Sequence, residues 1–279
     1  MSKKSKRNSY GYDTSNNNST RSVFIGGERC KQNEQAMNYK LYEVGGRIRD
    51  FYLGVESKDV DYSVVFENLQ YFTGPTDALL WFAEELEGLG YTVVKISPET
   101  FTIKALFPKN HQHTGPADFV IARKETSYIP NTRTPRVEMG SLMEDLLRRD
   151  FTVNAMARDE EGNIFDPFGG QEDLIKGILR TPKDAVVSFN NDPLRIVRAL
   201  RFSVTKGLGF SDEIVTAINL FPSWKMAVVS SERIREELTK MFKYDTKATL
   251  VVLGWLNKTN PTLYDNIMSD FWLMPTTKK

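Results

Sequence analysis

The run Leu41-Tyr42-Glu43-Val44-Gly45-Gly46-Arg47-Ile48-Arg49-Asp50, followed by Asp59-Val60-Asp61, decides how this chain is read. Residues 41–44 read as a strand, the two glycines allow a sharp turn without a Cβ clash, and residues 47–53 read as a short helix. That order sets a helix N-terminus, where backbone amides favour anions, beside the turn. The next strand, residues 60–66, starts at the two aspartates. Side chains at i and i+2 of a strand share a face, so Asp59 and Asp61 are expected to converge. Paired carboxylates of this kind suit Mg²⁺, which takes oxygen ligands from one or two acidic side chains and from substrate phosphates.

Working outward, the alternation continues with a helix near residues 77–89 and strands near 91–95, 101–106 and 117–122, a mixed α/β pattern. The turn-rich stretch 107–116 holds His111 and His113, which read as surface residues in a loop. Residues 126–136 contain two prolines, three threonines and two arginines with no periodicity, and read as a mobile segment. Ser141 and Glu144 match a capping box that opens a helix leading to Arg148-Arg149-Asp150. Beyond residue 170 strand signals stop, and helices are expected over 192–205, 211–220, 231–242 and 248–256. No internal repeat is present.

Composition sets the outer bounds. The 279 residues are 40% hydrophobic, enough for a real core, and 37 Lys and Arg balance 36 Asp and Glu. No overall basic excess announces nucleic-acid binding, so any RNA contact has to come from local clustering. The single cysteine, Cys30, excludes an internal disulfide, and with two histidines a structural zinc site is not expected. No apolar run suits a signal peptide or a bilayer span, so the expected location is the cytoplasm with no membrane partner. Residues 1–20, rich in Ser, Asn and Lys, read as a loose arm whose Lys3, Lys4, Lys6 and Arg7 either touch RNA or form a solvated tail.

Four segments resemble one family, the tRNA nucleotidyltransferases and bacterial poly(A) polymerases of the DNA-polymerase-beta-like superfamily, in its eubacterial and eukaryotic type. They are residues 45–61, Arg148-Arg149-Asp150-Phe151-Thr152-Val153-Asn154-Ala155, Asp166-Pro167-Phe168-Gly169-Gly170 with Leu174, and Asn191-Asp192-Pro193-Leu194-Arg195-Ile196-Val197-Arg198. A weaker fifth match is Ser231-Glu232-Arg233-Ile234 with Glu237-Leu238. The resemblance implies an α/β nucleotidyltransferase head with a short mixed sheet over residues 40–180, after an arm at 1–39. An all-helical neck would follow over 181–245, then a short helical remnant over 246–279.

The resemblance also implies roles. Asp59 and Asp61 would hold two metal ions, with Asp118 either beside them as a third catalytic carboxylate or merely facing solvent. Gly45, Gly46, Arg47 and Arg49 would line the triphosphate, a guanidinium gripping its oxygens in bidentate fashion. Arg148, Arg149, Asp150 and Asn154 would bind ribose and phosphate, the alternative for Arg148 being an arginine that covers the last carbonyls of its helix. Asp192 and Arg195 would read the Watson–Crick edge of the incoming base, since the exocyclic amine shared by C and A donates to Asp while Arg donates to ring acceptors. Asp192-Pro193 equally reads as a helix start. Arg198 and Arg201 would face phosphate or form a solvated basic stripe.

The activity implied is template-independent addition of C and A from CTP and ATP, with Mg²⁺, to a tRNA 3′ end. The alternatives are a poly(A) polymerase and a catalytically silent nucleotide- or RNA-binding protein. Asn191 stands where the family usually has Glu, and residues 123–138 occupy the place of the family's flexible loop. Only residues 243–279 remain for the long body and tail of family members, a deficit that a partner chain, a homodimer or a smaller acceptor could make up.

Overall fold

Val44 lies opposite Asp61 across an antiparallel strand pair, Asp61 lies beside Asp118 across a parallel pair, and Asp118 lies opposite Lys104 across a third. This row sits at the centre of a seven-stranded mixed sheet in a computed structural model that describes residues 22–25, 28–31, 38–57, 59–111, 113, 115–129 and 132–269. The proposed arm at residues 1–20 lies outside the described residues.

Residues 1–38 and 39–279 are separate units. In the first, β1 (Ser22–Ile25) and β2 (Glu28–Lys31) pair antiparallel, Val23 opposite Cys30. Composition hides this hairpin, but two short runs flanking Gly26-Gly27 are its sequence signature.

The second unit opens with β3 (Tyr39–Val44), α1 (Gly46–Tyr52) and β4 (Val60–Phe66), as the opening motif predicts. Then come α2 (Pro75–Gly88), β5 (Thr92–Ser97), β6 (Thr102–Leu106) and β7 (Pro116–Ile121). Next are β8 (Arg123–Tyr128), β9 (Pro135–Met139), α3 (Leu142–Leu147), β10 (Ala157–Arg158) and β11 (Ile164–Phe165). The main sheet runs β11-β10-β3-β4-β7-β6-β5. Pro75 at its first turn starts α2, which lays Leu79, Phe82 and Leu86 on Val64, Ile103 and Phe119 of the sheet. Tyr39, Phe66, Trp81 and Phe82 meet edge to face at one end of this layer.

The segment expected to be mobile has its two ends in an antiparallel ribbon of β8 and β9, with Lys124 opposite Glu138 and their side chains 3.3 Å apart. Its apolar alternation is confined to β9, where Val137 and Met139 pack on the sheet core, while β8 is polar and charged.

The helical part comprises α4 (Gly170–Lys176), α5 (Ala185–Asn191), α6 (Leu194–Lys206), α7 (Asp212–Asn219), α8 (Ser231–Tyr244), α9 (Thr246–Thr259) and α10 (Pro261–Met268). Strands do not stop altogether: β12 (Ile178–Leu179) and β13 (Gly209–Phe210) form a two-residue parallel clip, too short for periodicity to show. The helical core gathers Phe189, Val197, Leu200, Ile214, Leu238, Met241 and Leu256, and it also takes in Phe151, Val153 and Leu179 from the preceding region. Among the described residues no helix is long and apolar enough to cross a membrane.

Candidate active site

β4 and β7 bring the carboxylates together. Asp59 precedes β4 by one residue, Asp61 is its second residue, and Asp118 is the neighbour of Asp61 in the next strand. Burial first, and then the negative charges of Asp118 and Asp59, push the Asp61 carboxyl up, against the opposing pull of Arg149 and Lys104. Lys104 Nζ lies 3.2 Å from Asp118 Oδ1. Among the described residues no group of three or more His, Cys, Asp or Glu side chains gathers to hold a metal. The two carboxylates that could hold a metal here are Asp59 and Asp61, while Asp118 is paired with Lys104. Such a set fits Mg²⁺ that takes its remaining ligands from phosphate and water, and a divalent cation would relieve the repulsion borne by Asp61.

Gly45 borders the same space. Its φ of +80° disfavours any side chain, and a Cβ there would lie 3.1 Å from Arg149 Nη1 and 3.5 Å from Asp61 Oδ2. A Cβ at Gly46 would lie 3.2 Å from Arg49 Nη2. The glycines thus let the backbone approach one guanidinium each, and at Gly45 a carboxylate as well.

Arg49 and Arg47 diverge. Arg49, 8% exposed, donates Nε and Nη2 to the two oxygens of Asp50, each at 2.9 Å, and Nη1 to Asn154 Oδ1 at 2.6 Å. Arg47 pairs through Nε with Glu43, which also holds Arg158, and its Nη2 lies 3.2 Å from His113 Nε2. His113 is therefore no free surface group: burial and then Arg47 push its pKa down. His111 stacks on Phe107, ring centroids 4.3 Å apart. The Arg47 contact crosses elements that sequence spacing does not relate, whereas His111 follows Phe107 by four residues in one loop.

The Arg148–Asn154 segment is a hub between the sheet and α6. Asn154 Nδ2 donates to Asp150 Oδ1 at 2.9 Å, and so does the Phe151 amide. Asp150 Oδ2 accepts from Arg198 Nε at 2.9 Å and from its Nη2. Burial alone would push the Asp150 carboxyl up, but Arg198 and Asn154 outweigh it and hold it well below the usual carboxylate range. Lys206, at the end of α6, donates to Asp50 at 2.8 Å. Arg201 pairs with the buried Glu237, which also meets Lys240 at 3.2 Å. Arg198 and Arg201 are thus not a solvated stripe, because both reach buried carboxylates. With Arg49 they surround the Phe202 ring, guanidinium carbons 4.4 to 5.8 Å from its centroid.

Arg148 does not cover helix carbonyls with its side chain. Its Nε and Nη2 go to Asp145 Oδ1 at 2.9 and 2.6 Å, and Arg149 Nη2 goes to Asp145 Oδ2 at 3.2 Å. Asp145 is fully buried.

At the start of α6, Asp192 combines two roles. Its Oδ1 accepts from the amide of Leu194, the first residue of α6, at 3.3 Å, and from Arg133 Nη1 of the β8–β9 connection at 3.1 Å. Arg195, 6% exposed, donates Nη1 to Ser188 Oγ at 2.8 Å and to the Arg149 carbonyl at 3.3 Å, and Nη2 to the Arg148 carbonyl at 2.5 Å. Sequence reading missed Asp145, Ser188, Arg133 and Lys104. Asp145 had a local signal, since Arg148 and Arg149 follow it at helical i+3 and i+4 spacing. The other three act across elements and had none.

The family described as the poly A polymerase head domain matches residues 41–180. Among relatives, the Multifunctional CCA protein of Shewanella denitrificans is 36% identical over 210 residues, 74% of this chain and 45% of its own length. A Bacillus stearothermophilus CCA-adding enzyme in complex with CTP superposes with a TM-score of 0.62 at 27% identity, over 81% of this chain and 53% of that one. A tRNA nucleotidyltransferase complexed with a primer tRNA and an incoming ATP analog gives 0.60 at 31% identity, over 85% and 61%. The chain spans about half the length of the curated relatives it matches. The head match takes in the glycine turn, the carboxylate row and the Arg148–Asn154 hub, and on that ground the chain belongs to the poly A polymerase head-domain family, the nucleotidyltransferases that its motifs resemble.

Proposed function

We propose that this chain transfers a nucleoside monophosphate from CTP or ATP to the 3′-hydroxyl of an RNA acceptor, the 3′ end of a tRNA. The observation that carries this reading is the space at Gly45 shared by Arg149 and Asp61, with Asp118 in the adjacent strand. A triphosphate needs cations where a bound metal needs carboxylates, and here the two are adjacent. The relatives and solved structures named above, described as CCA proteins and as complexes with CTP, an ATP analog and primer tRNA, support the choice of substrates.

In the reaction the 3′-oxygen of the acceptor forms a bond to the α-phosphorus. The bond from that phosphorus to the oxygen bridging to the β-phosphate breaks, and pyrophosphate leaves with the electron pair. Asp59 and Asp61 would hold Mg²⁺, which when bound activates the attacking hydroxyl and neutralises charge on the leaving group. Asp118, held by Lys104, is the carboxylate beside Asp61 available to accept the hydroxyl proton. Arg149 and the Gly45-Gly46 backbone face the phosphates, and Asp50 with Asn154 holds Arg49. Asp192 and Arg195 read the base, Arg195 from a position fixed by two carbonyls and Ser188.

The test is incorporation of each labelled NTP, with Mg²⁺, into tRNA transcripts ending before the CCA, after C and after CC. CTP and ATP incorporation that disappears in D59A/D61A supports the proposal and shows how much of the triplet is added. ATP run into long tails on unrelated RNA would replace it with a poly(A) polymerase. Nucleotide binding without incorporation on any of the three acceptors would replace it with a silent binding protein.

A further inference from the structure

Asp145 belongs to no motif that points to nucleotide, metal or base, yet it is the charged group that both arginines of the Arg148–Arg149 pair share. A fully buried carboxylate is costly unless it is paired and hydrogen-bonded. Burial pushes its pKa up, and the two guanidiniums more than reverse that. A capping box formed by Ser141 and Glu144 fixes the start of the six-residue α3 that carries it.

The two arginines are not used alike. Arg148 gives both Nε and Nη2 to one oxygen of Asp145, so its guanidinium is spent on the brace. Arg149 gives only Nη2, and its Nη1 lies at the Gly45 space beside Asp61. The buried Arg149 Nε makes no hydrogen bond. The main chain of the same two residues supplies the carbonyls that hold Arg195. Side chains fixed from one side and backbone from the other leave the pair little freedom.

We infer that Asp145 is a positioning residue that aims Arg149 at the nucleotide phosphates, commits Arg148 to bracing, and steadies the carbonyls on which the base-reading Arg195 rests. The inference rests on the nucleotide-binding reading given above and deepens it. It assigns unequal roles to two adjacent arginines, and it ties phosphate affinity to base choice through one buried carboxylate.

The experiment is calorimetric titration of CTP, ATP and UTP, with Mg²⁺, into the full chain and its D145N, D145E, R148Q and R149Q variants, with folding checked by circular dichroism. D145N is expected to weaken CTP and ATP binding by about tenfold, the loss of one charge-assisted contact, and to bring the CTP-to-UTP affinity ratio toward one. D145E should recover part of both, and R148Q should weaken binding less than R149Q. A merely structural role would not change the affinity ratio. Folded D145N with wild-type affinities and ratio overturns the role of Asp145, as does R148Q as damaging as R149Q. Should D145N not fold, the order of R148Q and R149Q decides. A wild-type protein that binds none of the three nucleotides overturns the nucleotide reading itself, and the role of Asp145 with it.

Discussion

Arg133, in the connection between β8 and β9, donates to Asp192 at 3.1 Å, so the segment expected to be mobile holds a residue assigned to base reading. Asp192 cannot give that oxygen fully to a nucleobase while Arg133 keeps it. The side chains are 23% and 26% exposed, a half-screened pair. R133A should therefore cost at most about 1 kcal/mol of stability. It should nonetheless change the ratio of CTP to ATP incorporation, measured on acceptors ending before the CCA and after CC. An unchanged ratio would leave the pair a simple tether.

Asp61 carries a cost that its neutral analogue should remove. Its raised pKa means that stability is present while it is protonated and falls as pH rises through the ordinary carboxylate value toward the raised one. The whole cost is felt once the pH exceeds the raised value. D61N should raise the melting temperature at pH 7, by about 2–4 °C for each kcal/mol relieved in a chain of this size. The same substitution should abolish incorporation, and Mg²⁺ should raise the melting temperature of the wild type but not of D61N. Thermal denaturation with and without Mg²⁺ measures both.

Asp150 has the opposite sign. Its depressed pKa gives stability that is complete above the ordinary carboxylate value and is lost as pH falls through the depressed one, a window that opens below about pH 4. D150N should flatten that acid limb in denaturant titrations. At pH 7 it should cost about 2–3 kcal/mol, less than for a fully buried pair because the Arg198 side chain is 33% exposed.

A methyl group at Gly45 meets two obstacles, the positive φ and the Arg149 guanidinium at 3.1 Å. G45A should lower stability by about 1–2 kcal/mol through the backbone alone. It should also weaken ATP and CTP binding, because Arg149 has to shift. G54A, at φ +67° with open space around its Cβ, is the matched control: similar strain, unchanged nucleotide binding.

What could be read in advance was local. The glycine turn, α1, β4 and the capping box at Ser141 are set by neighbours within a few residues, and the structure has them. The ribbon of β8 and β9 was hard to read because only β9 has an apolar face, Val137 and Met139, while β8 is a polar and charged run. The seven-residue α5 carries its signal in one cap, Asp184 accepting from the Val187 amide. For Arg198 the helical spacing was right and the destination unknown, since only the tertiary fold brings Asp150, 48 positions earlier, beside it. Arg47 shows the same limit, as His113 lies 66 positions away.

The match to the head-domain family ends at residue 180, but the molecule has no seam there. A chain cut at that point would leave Asp150 without Arg198 and Asp50 without Lys206. It would also strip Phe151, Val153 and Leu179 of the helices that cover them. Such a fragment would keep Asp59, Asp61 and Asp118 and still present stranded charges and bare apolar surface, the makings of an aggregate. The smallest portable unit of this chemistry therefore extends through α6 and the helices packed on it, so an exchange of heads between relatives has to carry α6 along.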